Sequence, residues 1–190
     1  MSEDLQLVIR IRAGDLCAFE ALYHKYKSSL YHTALAITGD NGAAEELLQD
    51  CFIRAHAAIE RVDGSRSLSP WLHRIIVNLS YNWATRSQRW PLALDAFVDR
   101  LIAGPASSPE HIAEGSELRA AVRDAVASLS FKQRVVVVLF YFQGFQLSEI
   151  AYILDCPIGT VKSRLHRASQ ALRIQLLADR RLASELVYAT

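Results

Sequence analysis

FQLSEIAYILDCPIGTVKSRLHRASQAL, running from Phe145 to Leu172, holds two short amphipathic patterns joined by a tight turn. In the first, Leu147, Ile150, Ala151 and Leu154 recur at helical spacing. In the second, Ile158, Val161, Leu165, Ala168 and Leu172 do the same. Between them stands Asp155-Cys156-Pro157. Proline suits the first turn of a new helix, where its missing N–H has no partner to lose. Asp155 falls where such turns need a left-handed backbone, which Asp tolerates better than most residues. Two short helices so joined predict a helix-turn-helix. At about 100° per residue, Gly159, Ser163, His166, Arg167 and Gln170 lie opposite the apolar stripe of the second helix, flanked by Lys162 and Arg164. Such a face can reach base edges and phosphates in a major groove. For any single arginine, a solvated face on an ordinary bundle helix is the plainer alternative.

The 190-residue chain is 51% hydrophobic and 22% charged, which suits one large folded domain or two small ones. Its longest apolar run, Val135 to Phe142, falls far short of the ~20 residues a membrane helix needs. The amino terminus, MSEDLQLVIRIR, begins acidic and lacks a secretory pattern, so the protein is expected to stay in the cytoplasm, with no membrane insertion. Net charge is only +1, but its distribution is uneven. Cys156 to Arg181 carries Lys162, Arg164, Arg167, Arg173, Arg180 and Arg181 against Asp179 alone. Ser65 to Trp90 carries Arg66, Arg74, Arg86 and Arg89 with no acid, whereas Asp40, Glu45, Glu46 and Asp50 form an acidic group. Two basic patches and one acidic patch suit a protein that touches both nucleic acid and a basic protein surface. Cys17, Cys51 and Cys156 have no metal-ligand spacing, and Cys17 and Cys51 fit apolar helix faces as buried thiols. No phosphate loop, nucleophile motif or paired metal ligands occur, so neither an enzyme, a metal nor a cofactor is expected.

The chain reads as all-α. A short helix is expected over Leu5 to Ile11. Asp15 to Thr38 is a long helix with Leu16, Phe19, Leu22, Tyr23, Tyr26, Leu30, Ala34 and Ile37 in one stripe, stopped by Gly39. Ala43 to Ile59 follows, with Leu47, Leu48, Cys51, Phe52, Ala55 and Ile59 facing inward. Ile53 lies out of phase, among Glu46, Gln49 and Asp50; an apolar anchor within a charged rim is how a protein contact looks, although a lone exposed isoleucine is also ordinary. After a polar loop from Arg61, Ser69-Pro70 predicts a helix start with Ser as N-cap. Trp71, Leu72, Ile75, Ile76, Leu79 and Trp83 form that helix's stripe. Arg74, Asn78, Tyr81 and Thr85 lie opposite and Arg86 and Arg89 end it. A basic face with an amide and an aromatic ring can grip phosphates and unpaired bases, or can simply be solvated. Residues 91–116, punctuated by Pro91, Gly104, Pro105 and Pro109, read as a linker. Glu117 to Leu129 is helical. Val135 to Phe142 has strand propensity, but Ser130 and Gln133 make a capping box before it and Gly144 follows, so helix is expected. Gln146 stands at the start of the helix-turn-helix where Ser or Thr would cap better.

CPIGTVKSRLHRA, Cys156 to Ala168, resembles the promoter-reading helix of extracytoplasmic-function sigma factors, small members of the bacterial sigma-70 family. AEELLQDCFIRA, Ala44 to Ala55, resembles the family segment that grips the clamp helices of RNA polymerase. PWLHRIIVNLSYNWATRSQR, Pro70 to Arg89, resembles the segment that recognises the minus-10 element. Together the resemblance spans Asp15 to Arg89 and Leu118 to Leu177. It implies a minus-10 and polymerase-binding domain over 1–90, the linker, and a minus-35 helix-turn-helix domain over 117–190. Polymerase contacts would come from Glu46, Gln49, Asp50, Ile53 and Arg54. Melted minus-10 DNA would meet Ser65, Arg66, Ser69, Arg74, Asn78, Tyr81, Arg86 and Arg89, with Asn78 and the loop before the helix holding an extruded base. Minus-35 duplex would meet Thr160, Lys162, Ser163, Arg164, His166 and Arg167. The implied partners are core RNA polymerase, promoter DNA and an anti-sigma factor. Two other classes stand beside this one: a dimeric helix-turn-helix regulator that binds duplex without polymerase, and, weakest, an all-helical enzyme.

Overall fold

The computed structural model describes residues 2–87 and 116–179. These residues contain helices and no strand. The first half begins with α1 (Glu3–Arg12), whose Leu7, Val8 and Ile11 are buried. Asp15 caps the next helix, α2 (Leu16–Thr38), by accepting from the Cys17 and Ala18 N–H groups. Gly39, at φ 68°, ends it in the left-handed conformation that a side chain resists. Asp40 then caps α3 (Asn41–Ala58), accepting from Ala43 N–H at 2.8 Å. A 3₁₀ turn (Ile59–Arg61) leads into the loop before α4 (Ser69–Ser87). Helices α2, α3 and α4 pack on one another, and α1 lies against α2. Their core includes Leu22, Leu30, Ile37, Leu72 and Ile76, all fully buried. Each such side chain stabilises the fold by ~1.5–3 kcal/mol.

The second half comprises α5 (Ser116–Ser128), α6 (Phe131–Val137), a π-helical turn (Val138–Phe142), α7 (Leu147–Ile153) and α8 (Ile158–Ala178). The capping residues decide the ambiguous β-branched run in favour of helix. Gln133 Oε1 accepts from the Ser130 N–H at 3.0 Å and from its hydroxyl at 2.7 Å. The start at Gln146 is better held than its residue type suggests, because Glu149 accepts from Gln146 N–H at 2.8 Å. Helix α8 packs against α5, α6 and α7.

The two halves are joined by more than their tether. One continuous apolar core contains Leu30, Leu72 and Ile76 together with Val135, Leu139, Phe145, Ile150 and Ile153. Helix α4 packs on α7, and α2 on α6 and the π turn. Gln143 ties the junction: its Oε1 accepts from Ser29 Oγ at 2.7 Å, and its Nε2 donates to Thr33 Oγ1 at 2.8 Å.

Several expectations need correction. Leu16 is 77% exposed, because the inward stripe of α2 starts only at Ala18, and Tyr23 lies at the stripe's edge, partly open to solvent with its ring 4.8 Å from that of Phe52. Cys17 is exposed, whereas Cys51 is buried as expected. Helix α4 starts at Ser69 itself, its first helical bond running from Leu72 N–H to Leu68 C=O. Ser69 is therefore not the N-cap. Ile158 is 45% exposed at the start of α8. The 91–116 linker lies outside the described residues except for Ser116, which opens α5.

Candidate nucleic-acid and polymerase interfaces

The turn between α7 and α8 forms as its residues dictate. Asp155 has φ 50° and is the only non-glycine residue with positive φ among the described residues. Cys156 N–H closes on Ala151 C=O at 3.1 Å, and Thr160 N–H on Pro157 C=O at 2.8 Å. Val161 and Ala168 are buried, which turns Lys162, Ser163, His166, Arg167 and Gln170 outward. Thr160 and Arg164 are half-buried. Arg164 leans back toward the turn, its Nη1 3.8 Å from Cys156 Sγ. Ser163 donates to Thr160 C=O at 3.0 Å, a bond within its own helix.

On α3, Leu47, Cys51, Phe52 and Ala55 are buried, and burial pushes the Cys51 thiol up to about 12. The other face brings Glu46, Gln49, Asp50, Ile53 and Arg54 together, all exposed, with Ile53 at 66%.

The minus-10 candidates are divided. Ser65, Arg66, Asn78, Tyr81 and Arg86 are exposed, and Arg89 lies outside the described residues. Ser69 is half-buried and its C=O accepts from His73 Nδ1 at 2.7 Å. Arg74 is engaged by the second half. It donates to Tyr152 C=O at 3.1 Å, lies 3.3 Å from the Asp155 carboxylate and sits over the Tyr152 ring. Tyr81 packs edge-on against Phe131, with ring centroids 5.1 Å apart. Asn78 borders a cleft of about 300 Å³ that Phe131, Asp155 and Arg164 share. A larger cavity, about 610 Å³, lies between the 61–70 loop and α7; Arg61, Arg66 and Trp71 line it on one side, Ser148 and Tyr152 on the other. Sequence periodicity did not reveal this junction. It missed His73, which is fully buried against Phe145 at 4.7 Å with Nε2 3.3 Å from Ser29 Oγ. Burial pulls the His73 pKa down to about 4, against the raising effect of the Ser69 carbonyl. The missed signal was two-sided: Leu72, His73, Ile76, Val77 and Ser80 are all buried, a wider arc than one stripe.

The geometry thus supplies a polar ridge with an apolar centre, a polar loop beside the ring of Trp71, and a basic outward helix face. Residues 22–90 match the family described as Sigma-70 region 2, and residues 119–172 match Sigma-70, region 4. The chain is 32% identical over 179 residues to the ECF RNA polymerase sigma factor SigW of Bacillus subtilis, covering 88% of this chain and 93% of that protein. The chain belongs to the extracytoplasmic-function sigma factors. A second relative, the ECF RNA polymerase sigma-E factor of Escherichia coli K12, is 34% identical over 184 residues, covering 90% of this chain and 95% of that protein. Among solved structures, the sigma factor RpoE in complex with the anti-sigma factor NepR from Bartonella quintana aligns at TM-score 0.62 and 27% identity, over 85% of this chain and 98% of that one. CnrH in complex with the cytosolic domain of CnrY shares the fold at TM-score 0.70 and 22% identity, over 94% of this chain and 99% of that one. As a sigma factor the protein binds core RNA polymerase and directs it to promoters, and it is not an enzyme. Among the described residues no helix is long and apolar enough to cross a membrane.

Proposed function

We propose that this sigma factor divides its work among three surfaces. Glu46, Gln49, Asp50, Ile53 and Arg54 on α3 hold the polymerase. Ser65, Arg66, Ser69, Arg74, Asn78, Tyr81, Arg86 and Arg89 capture melted minus-10 DNA, with an extruded base beside Trp71. Thr160, Lys162, Ser163, Arg164, His166 and Arg167 read the minus-35 duplex. The division of the chain is 1–90 for the first two tasks, 91–116 as linker and 117–190 for the third. The protein works in the cytoplasm, where polymerase and promoter are.

The observation that carries the reading is the outward display of Lys162, Ser163, His166 and Arg167 behind a left-handed Asp155 turn. That is the geometry with which a second helix enters a major groove. Strand opening needs no covalent step: separating a base from its stack costs a few kcal/mol, offset by stacking and polar contacts in a pocket. Arg74 and Tyr81 touch the second half in the compact arrangement. The halves therefore part before the minus-10 face is used. An anti-sigma factor that favours the compact form would hold it inactive. The solved complex with NepR, from a relative of the same fold, supports a partner of that kind.

The test is reconstitution. Added to core RNA polymerase, the chain should co-elute as a monomer and support run-off transcription from a cognate promoter. Asn78→Ala should reduce permanganate reactivity of the minus-10 thymines while leaving the minus-35 footprint in place. Normal permanganate reactivity with Asn78→Ala would refute the minus-10 assignment of that face.

A further inference from the structure

The region-2 match begins at residue 22, so α1 lies outside it. Yet α1 makes a dense set of contacts with the 59–68 stretch before α4. Arg12 grips one end: its Nη2 donates to Ile59 C=O at 3.0 Å and to Val62 C=O at 2.6 Å, and its Nε donates to Ile59 C=O at 3.2 Å. Asp4 grips the other end: Oδ2 accepts from Leu68 N–H at 2.8 Å. In the middle, Gly64 is pressed so closely on α1 that a Cβ there would lie 3.1 Å from Val8 Cβ and 3.2 Å from Leu5 Cδ1.

Asp4 is a costly way to hold one backbone N–H. Its carboxylate is buried, and a buried charge is retained only where partners compensate it. Tyr26 OH donates to the same oxygen at 2.7 Å, and Lys25 Nζ donates to the other at 2.7 Å. Burial alone would raise the Asp4 pKa, but these bonds and the Leu68 N–H hold it below the usual carboxylate range. The result is a fixed anion bonded to the last residue before α4, at the end of the loop that carries Ser65 and Arg66. A loop that closes around an extruded base loses backbone freedom, and a loop tethered in advance has lost much of it before the base arrives.

We propose that α1 is a splint for the base-capturing loop, with Asp4 and Arg12 as positioning residues at its two ends. The inference rests on the minus-10 reading above and adds residues that touch no DNA. It makes discrimination at one promoter position depend on a helix on the far side of the loop.

The experiment uses polymerase holoenzyme on a promoter library randomised across the minus-10 element, with parent, Arg12→Ala, Asp4→Asn and Tyr26→Phe chains. Arg12→Ala and Asp4→Asn should each flatten base preference at the extruded position by about tenfold, the scale of a hydrogen bond to a charged group. Polymerase retention and minus-35 preference should stay at the parent level. Tyr26→Phe, which removes one of the bonds to Asp4 and little volume, should show a smaller flattening in the same place. Hydrogen exchange of a peptide spanning Leu68 in the free chain should accelerate in Asp4→Asn. Unchanged preference in all three variants would overturn the inference, as would a proportional loss at every position with polymerase retention falling alongside. Arg66→Ala and Trp71→Ala run in parallel separate the two levels. If they flatten the preference and the α1 variants do not, only the splint fails. If they too leave it unchanged, the minus-10 assignment of the loop fails.

Discussion

Replacing Ile53 is the most direct probe of the α3 ridge. The side chain is 66% exposed in the free chain, so about two-thirds of its surface is available to a partner. Full burial of such a side chain is worth ~1.5–3 kcal/mol, so two-thirds gives about 1–2 kcal/mol. Ile53→Ala should weaken polymerase binding by about 5- to 30-fold. Ile53→Glu should do worse, because it also strands a carboxylate in an apolar contact at a further ~1–3 kcal/mol, and a loss of at least about 30-fold is expected. Folding should hardly notice: the core side of α3 is Leu47, Cys51, Phe52 and Ala55, and exposed substitutions stay within about 0.5 kcal/mol. The assay is titration of a fluorescently labelled chain with core polymerase, read by anisotropy, beside thermal denaturation. Leu16→Ala is the control, since Leu16 is more exposed still but stands at the start of α2, off the ridge. Binding of Ile53→Glu within twofold of the parent, with an unchanged denaturation curve, would refute the assignment.

On a minus-35 library at two salt concentrations, Arg167→Ala should relax preference at particular positions by ~1–3 kcal/mol, whereas Lys162→Ala should weaken all sequences alike and reduce the salt slope by about one phosphate. A uniform loss for Arg167→Ala would make it a phosphate anchor. The Arg74–Asp155 pair is open to water, with side-chain exposures of 34% and 81%, so Asp155→Asn should cost the compact form no more than about 1 kcal/mol. Binding of a single-stranded minus-10 oligonucleotide to the free chain should therefore rise less than about fivefold, and a larger rise would show that the ion pair, not the apolar junction, keeps the halves together. His73 is held near 4 when folded and returns to about 6.5 when unfolded, so the unfolded chain binds the extra proton between those values. Its contribution is complete above about pH 6.5 and is lost as pH falls toward 4, about 2 kcal/mol between pH 7 and 4.5. Denaturant melts of the parent and of His73→Asn should differ in pH dependence by that amount, and parallel curves would show that the ring is hydrated.

Much of the fold was legible because helical periodicity and capping residues agreed. Asp15 and Gly39 act where the pattern placed a start and a stop, whereas Asp40 caps a helix that begins at Asn41, two residues before the expected Ala43; the left-handed Asp155 follows from its place between two stripes. Ser130 and Gln133 settled a run whose propensity pointed the other way. The outward faces of α3 and α8 were legible for the same reason, since a surface residue is defined by what its own helix buries. The junction was not. His73 and Ser80 are polar types in a helix that already had an apolar stripe, and only a second packing partner explains their burial. Asp4 fell before the expected helix, as part of an acidic amino terminus, because its partners, Lys25, Tyr26 and Leu68, are distant in sequence. Leu16 and Cys17 were misplaced for the opposite reason: the stripe was extended past the point at which neighbouring helices cover it.

The shared core has a consequence for handling and survival of the free chain. Parting the halves would bare Phe145, Ile150 and Ile153 together with the side chains of α4 and α2 they now cover. Apolar surface of that kind invites self-association. A chain that waited in the open form would be prone to precipitate or to be degraded, whereas the compact form keeps those side chains dry. Opening is then safest when another protein surface is already at hand. On this view the closed junction acts as the chain's own holdase, and solubility during overexpression should track the integrity of Phe145 and Ile150 more closely than any charge on the surface.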